Sequence, residues 1–314
     1  SWETLMKQGV GMEETVSTAP LLARLEDAGD AVLGPMTSGW RRGARRFAAN
    51  RVALVGLVIA LALLLAGIAA PLITPAAYDD TRFVTNTYAF PSSVHWFGVD
   101  AVGRDFFSRN IYAIRISLSI GFGAAIISAL IGIPLGALAG FYGRKTDWII
   151  SRILEVFQII PPFLIAILLS TLTGGGVIEL ILIISFTSWM NMCRLVRADM
   201  LTMREEEYVM AARAQGVGQF RIIFRHLLPN ALGPILVAFS LTIPTAIGVE
   251  AGLSLLGVGV NPPTPSWGGM ISEGLSYTSY YWFLELFPVL MLTITVLSLS
   301  FVGDGLRDAL DPTA

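Results

Sequence analysis

Residues 52–73 read VALVGLVIALALLLAGIAAPLI, a run without a single charged side chain. A hydrocarbon core about 30 Å thick takes roughly 20 apolar helical residues to cross, so this stretch puts the chain in the membrane class. The composition agrees: the 314 residues are 54% hydrophobic and 14% charged, with a mean hydropathy of +0.68. Residues 117–142 form a second uncharged run, in which the glycines and Pro134 signal close packing or a kink. Residues 156–177 also carry no charge, and Gly174, Gly175 and Gly176 end a third span near Thr173. A fourth is expected from about Glu179 to Cys193, a fifth over 231–249, and a sixth over 286–302 that closes on Gly303 and Asp304. The reading is an all-α integral membrane protein with six transmembrane helices. No apolar core lies near the start of the first fifty residues, so no cleavable signal peptide is expected and the first helix directs insertion.

The positive charges set the orientation, because Lys and Arg near span ends stay on the cytoplasmic side. With the amino terminus inside, seventeen of the 21 Lys and Arg fall inside, and only Arg82, Arg104, Arg109 and Arg115 lie outside, all in one loop. Both termini are then cytoplasmic. The expected organisation is a cytoplasmic tail over 1–50, a first span with its external loop over 51–116, a five-helix core over 117–305 and a short tail over 306–314. Two external segments, 74–115 and 250–283, are long enough to carry structure, with Trp96, Tyr280, Tyr281 and Trp282 at the membrane interface.

Several chemistries find no footing. Cys193 is the only cysteine, which rules out an intrachain disulfide, and His95 and His226 are too few for a zinc centre. They also fall on opposite sides of the membrane, so neither can serve as base to a serine at the midplane. Residues 140–146, GFYGRKT, follow a membrane helix rather than a strand and are not a phosphate-binding loop. Glu250 sits where the fifth span meets the outer interface, and a carboxylate at that depth is either paired or functional. A structural role is favoured; in a secondary transporter working alone it would be an ion or proton site. Such a transporter would also show internal repeats and charged or broken helices at midplane, which the sequence does not show. Arg152 and Glu155 are expected to pair near the inner face.

The densest information lies over 200–229, between the fourth and fifth spans. Thr202 and Glu205 have the spacing of a capping box, and Glu205, Glu206 and Glu207 place negative charge in a first helical turn. The expected helix covers 203–215 and stops at Gly216. A second follows, with Phe220, Ile223, Phe224 and Leu227 on one face and Arg221 and Arg225 on the other, before Leu228 and Pro229 open the fifth span. Two helices around a glycine turn, with six arginines nearby, imitate a helix-turn-helix DNA reader. Both ends are tied to the membrane within a few residues, so no nucleic acid is expected as partner.

Residues 208–230, YVMAARAQGVGQFRIIFRHLLPN, resemble the cytoplasmic coupling motif of binding-protein-dependent ABC importer permeases. Ala211, Ala212, Gly216, Leu228 and Pro229 match it; Met210 stands where the motif carries glutamate, with Glu207 three residues earlier, and His226 where it carries isoleucine. Three further stretches are similar to the C-type permease of dipeptide, oligopeptide and nickel importers: HWFGVDAVGRDFFSR at 95–109, VEAGLSLLGVGVNPPTPSWGGMI at 249–271 and GDGLRDALDP at 303–312. The resemblance implies one half of a translocation pathway for di- or oligopeptides, with nickel or glutathione-like solutes as alternatives. It further implies a homologous second permease, two cytoplasmic ATPases that bind the ATP and Mg, and an external binding protein, leaving no cofactor to this chain. Glu207 and Tyr208 join the matched residues as ATPase contacts. Asp100, Gly103, Arg104 and Asp105 form an external motif expected to fold against the partner permease or the docked binding protein.

Overall fold

A computed structural model describes residues 36–310, so the readings made for 1–35 and 311–314 lie outside the described residues. The chain divides into Ser1–Ala44 and Arg45–Ala314. Helix α1 (Met36–Ala49) runs across that division, and the second unit holds everything that follows. Its helices are α2 (Arg51–Ile68), α3 (Ala70–Ile73), α4 (Phe106–Tyr142), α5 (Arg144–Ile159), α6 (Pro162–Thr173), α7 (Val177–Met203), α8 (Glu207–Ala214), α9 (Gln219–Ile222), α10 (Leu228–Leu255), α11 (Trp267–Leu275) and α12 (Phe283–Leu310).

Five stretches are long and apolar enough to cross a membrane: α2, α4, α7, the run from α9 through α10, and α12. The third expected span is different. Pro161 and Pro162 remove two backbone donors and hold Ile160 and Pro161 extended, which splits the apolar run into α5 and α6, bent by 75°. At 1.5 Å per residue the twelve residues of α6 reach about 18 Å, short of the hydrocarbon thickness.

Other boundaries move because polar side chains carry helices beyond their apolar runs. Helix α4 starts at Phe106 rather than 117, capped by Asp105, so Arg109 and Arg115 are helical and the boundary drawn at 116 falls inside a helix. Helix α7 continues ten residues past Cys193 to Met203. Helix α12 does not stop at Gly303 but runs to Leu310, so a tail beginning at 306 is not separate. Gly303 and Gly305 are packing glycines, the second set against Ala53 of α2. Asn50 caps α2 by accepting from Val52 and Ala53 N–H at 3.1 Å, and its side chain donates to Asp308 of α12 at 3.3 Å. The Arg152–Glu155 pair is present, with both side chains more than half exposed.

The bundle is built around α4 and α7. Added Cβ atoms on Gly132, Gly136 and Gly140 would stand 2.7, 2.5 and 2.6 Å from the carbonyls of Trp189, Cys193 and Arg197. Only glycine at every fourth residue lets the two backbones approach so closely, as between membrane helices generally. Both residue numbers rise together along this seam, so α4 and α7 are parallel. Their shared carboxyl-terminal end carries one apolar core, in which Ala137, Phe141, Met192, Val196 and Met200 meet residues of the 204–227 segment. The other end carries a second, where Phe106, Ile114, Trp267, Met270 and Phe283 join α4 to α11 and α12.

Candidate functional site

The 204–227 segment leaves α7 and re-enters α10 as a compact cap on the bundle. Thr202 caps nothing: it lies inside α7, and its hydroxyl donates to the Ala198 carbonyl at 3.3 Å. Helix α8 starts at Glu207 behind Glu206, with no side-chain cap, while Glu205 accepts from Arg204 Nε at 2.9 Å. Arg204 also donates to the Gly140 carbonyl at 3.3 Å, which anchors the segment to the end of α4. Gly216 has φ +74° and open space where a Cβ would sit, so its positive φ alone calls for glycine.

The expected inward face of the second helix is only partly the one buried. Ile222, Ile223 and Leu227 are inside, whereas Phe220 and Phe224 are 65% and 61% exposed. A π-turn over Ile223–Leu227, closed by Leu228 N–H to the Ile223 carbonyl, inserts a residue into the helical count and turns the two rings outward. Helix α8 is likewise two-sided. Val209 is fully buried and Ala212 packs against the same core, while Ala211 is exposed beside Tyr208 and Met210. Tyr208 keeps its ring 40% exposed and its hydroxyl accepts from Asn230 Nδ2 at 3.4 Å. Arg213 lies 5.1 Å from the Phe141 ring centroid, a cation–π contact back to α4. Leu228 and Pro229 open α10 at its first turn, with Pro229 where a missing N–H costs nothing. The segment thus has a packed base and an exposed apolar and small-residue top. Glu207, Tyr208, Ala211 and Gly216 lie on that top, and Ala212, Leu228 and Pro229 belong to the base.

The second group of singled-out residues sits at the opposite end of α4 and α7. Asp100 Oδ2 accepts from Arg104 Nε at 2.6 Å and from Arg109 Nη1 at 2.8 Å, and its Oδ1 takes the Val102 and Arg104 N–H groups. Arg109, 1% exposed, also donates to Glu273 of α11 at 2.7 Å and 3.3 Å. Asp105 accepts from Ser108 N–H and Oγ at 2.8 Å each, and its other oxygen lies 3.3 Å from His95 Nδ1. Gly103 has φ +82° and its Cβ position is blocked by Val84 N. Aromatic contacts continue the packing, with Phe97 stacked on Phe287 at 3.9 Å and Tyr88 on Tyr281 at 4.4 Å. Hydrogen bonding to Tyr277 and burial push the Tyr88 phenol up to about 12. Of the charged side chains in that motif, Arg104 reaches Glu273 of α11 at 3.4 Å, Asp100 is held by Arg104 and Arg109, and Asp105 by Ser108 and His95, and all three are buried within this chain. Arg109 and Glu273 were missed as a pair because 164 residues separate them; the one available signal was that the external arginines need a buried anion.

Glu250 lies in α10 and is completely buried, with Ser254 Oγ donating to it at 2.7 Å.

Residues 132–314 match the family described as binding-protein-dependent transport system inner membrane component. The chain belongs to that family. Residues 38–91 of the permease also match the N-terminal TM domain of oligopeptide transport permease C. The oligopeptide transport system permease protein OppC of Bacillus subtilis (strain 168) is 42% identical over 91% of the permease and 94% of its own length. The dipeptide transport system permease protein DppC of Alkalihalophilus pseudofirmus is 41% identical over 88% of the permease and 90% of its own length. A chain of the MetNI methionine ABC transporter, solved in inward-facing conformations, superposes with a TM-score of 0.54 at 21% identity, covering 65% of the permease and 96% of that chain. At that identity the likeness concerns the fold. The permease is thus a multi-pass inner membrane protein of a binding-protein-dependent importer, and its relatives are transport permeases.

Proposed function

We propose that the permease forms one half of the translocation pathway for dipeptides and oligopeptides, and that the exposed top of α8 and α9 receives the motion of a cytoplasmic ATPase. The observation that carries the coupling role is the exposed set Tyr208, Met210, Phe220 and Phe224 around Ala211 and Gly216, raised on a base whose core residues are fully buried. A small-residue centre with an aromatic rim suits insertion into a cleft. The peptide class rests on the identity with relatives named for oligopeptides and dipeptides. The partners in this reading are a homologous second permease, two ATPases that hold ATP and Mg, and an external binding protein; this chain breaks no bond. Opening follows from unequal contact of the ATPases with the two states, since a partner that binds both equally shifts nothing. Co-expression with the candidate ATPases and purification in mild detergent tests it: the subunits elute together, and a permease that transports peptides alone overturns the reading.

Both termini are cytoplasmic in this proposal. The parallel seam between α4 and α7 supports it, because a chain that ends α4 at one face and starts α7 at the other must cross back through α5 and α6. The bent pair then counts as the sixth crossing. Single cysteines at Ser92 and Thr264 are expected to react with an impermeant maleimide added outside cells, and one at Gln219 only after lysis. Reaction at Gln219 in intact cells inverts the topology.

A further inference from the structure

Of the four arginines that the sequence places outside, three are paired: Arg82 with Asp80, and Arg104 and Arg109 with Asp100 and Glu273. Arg115 is the exception. Among the described residues no carboxylate lies within ion-pair distance of it, and its side chain is exposed on α4. It rims a groove of about 300 Å³ between α2 and α4, walled by Leu64, Ile68, Leu118 and Phe122, with Ser119 beside it. Gly67 brings the two backbones together here, since an added Cβ would stand 3.0 Å from Ile114 Cγ2 and 3.4 Å from Arg115 N. That contact also fixes the depth. Helix α2 has 18 residues, about 27 Å of helix, which is close to the hydrocarbon thickness, and Gly67 belongs to its last turn. Arg115 is therefore level with the end of an apolar span. At that same end Leu65, Ile68 and Leu72 are exposed, the last at 89%, as side chains that face lipid tails are.

An unpaired cation above apolar walls, at the depth where hydrocarbon gives way to headgroups, suits an amphiphile with one negative charge. We propose that the groove holds an anionic phospholipid, its phosphate bound by the Arg115 guanidinium and one acyl chain lying over Leu64, Leu118 and Phe122. A guanidinium offers phosphate oxygens a forked pair of donors. Its long stem can lie along the apolar wall while the charge reaches the interface. The lining holds no carboxylate, so the ammonium of a zwitterionic headgroup would find no counter-charge there, and a headgroup that is only negative is preferred. A lipid seated in this way fills the gap between the amino-terminal span and the core helix α4. That the leaflet is the outer one rests on the topology proposed above; the site itself does not.

The test is native mass spectrometry of the full-length permease, with any subunits that co-elute in mild detergent, titrated with phosphatidylglycerol and separately with phosphatidylcholine. The wild type is expected to bind one phosphatidylglycerol more tightly than any phosphatidylcholine. Arg115→Gln removes the charge at an exposed position and should weaken that binding roughly fivefold. Ser119 is exposed and its hydroxyl donates to the Arg115 carbonyl of its own helix, so Ser119→Trp fills the groove with Arg115 still present and should weaken binding at least as much. Arg82→Gln, which removes another exposed arginine of the same loop, should leave it unchanged. Wild-type affinity in both Arg115→Gln and Ser119→Trp overturns the proposal, and so does an equal loss in Arg82→Gln, which would mean that net charge alone attracts the lipid. Equal binding of phosphatidylcholine overturns it as well. A thiol at Ser119→Cys that cross-links to a second subunit in membranes would mean that protein covers the groove, and also overturns it. Binding is read without transport, so a failed substrate assignment leaves the result standing.

Discussion

Replacing Ala211 with tryptophan abolishes substrate-stimulated ATP hydrolysis in reconstituted membranes while the permease still inserts and folds. Ala211 is exposed and supports nothing inside the chain, so its replacement costs within about 0.5 kcal/mol of stability. A bulky ring there keeps a closely fitted partner from reaching the α8 backbone, and coupling falls by tenfold or more once roughly 1.4 kcal/mol of contact is lost. Gly216→Val reaches the same end by another route. The side chain has open space, but a β-branched residue at φ +74° strains the turn by roughly 1–2 kcal/mol and re-aims α8 against α9. Ala212→Leu is a poorer probe, because Ala212 packs into the core with Val209 and Ile222 and bulk there disturbs the base itself. Stimulation at the wild-type level in both Ala211→Trp and Gly216→Val removes the coupling role.

Arg109→Ala produces the largest loss of stability. Arg109 is 1% exposed and bridges Asp100 to Glu273. Removing it leaves a buried Asp100 carboxylate with only Arg104 as counter-charge and a Glu273 carboxylate held by one bond at 3.4 Å. Breaking a buried ion pair from one side costs ~3 kcal/mol or more. The expected result is a lower thermal midpoint in detergent and a lower membrane yield. Arg109→Lys rescues only in part, because one ammonium cannot reproduce the forked contact with both carboxylates. Arg104→Ala loses less, since Asp100 keeps Arg109. An unchanged melting curve for Arg109→Ala would mean that the network is satisfied by water and is not what holds the loop to α11.

Uncharged runs long enough to span a bilayer are a local property, and they marked α2, α4, α7, α10 and α12 directly in the sequence, together with the helix around Ala211, its stop at Gly216 and the opening of α10 at Leu228. Backbone hydrogen bonds in lipid have to be met within the segment, which makes such runs nearly unambiguous. What the run alone does not show is where a helix ends when polar side chains carry it further, as Asp105 does for α4, or when two prolines break it, as at Pro161 and Pro162. Which face of a helix is buried was also beyond local reading once a π-turn changed the count, so Phe220 and Phe224 came out exposed. The Arg109–Glu273 contact joins residues 164 positions apart. It exists because packing α11 across α4 removes the Arg109 guanidinium from water, and a desolvated charge must then find whatever partner the tertiary structure brings within about 3 Å.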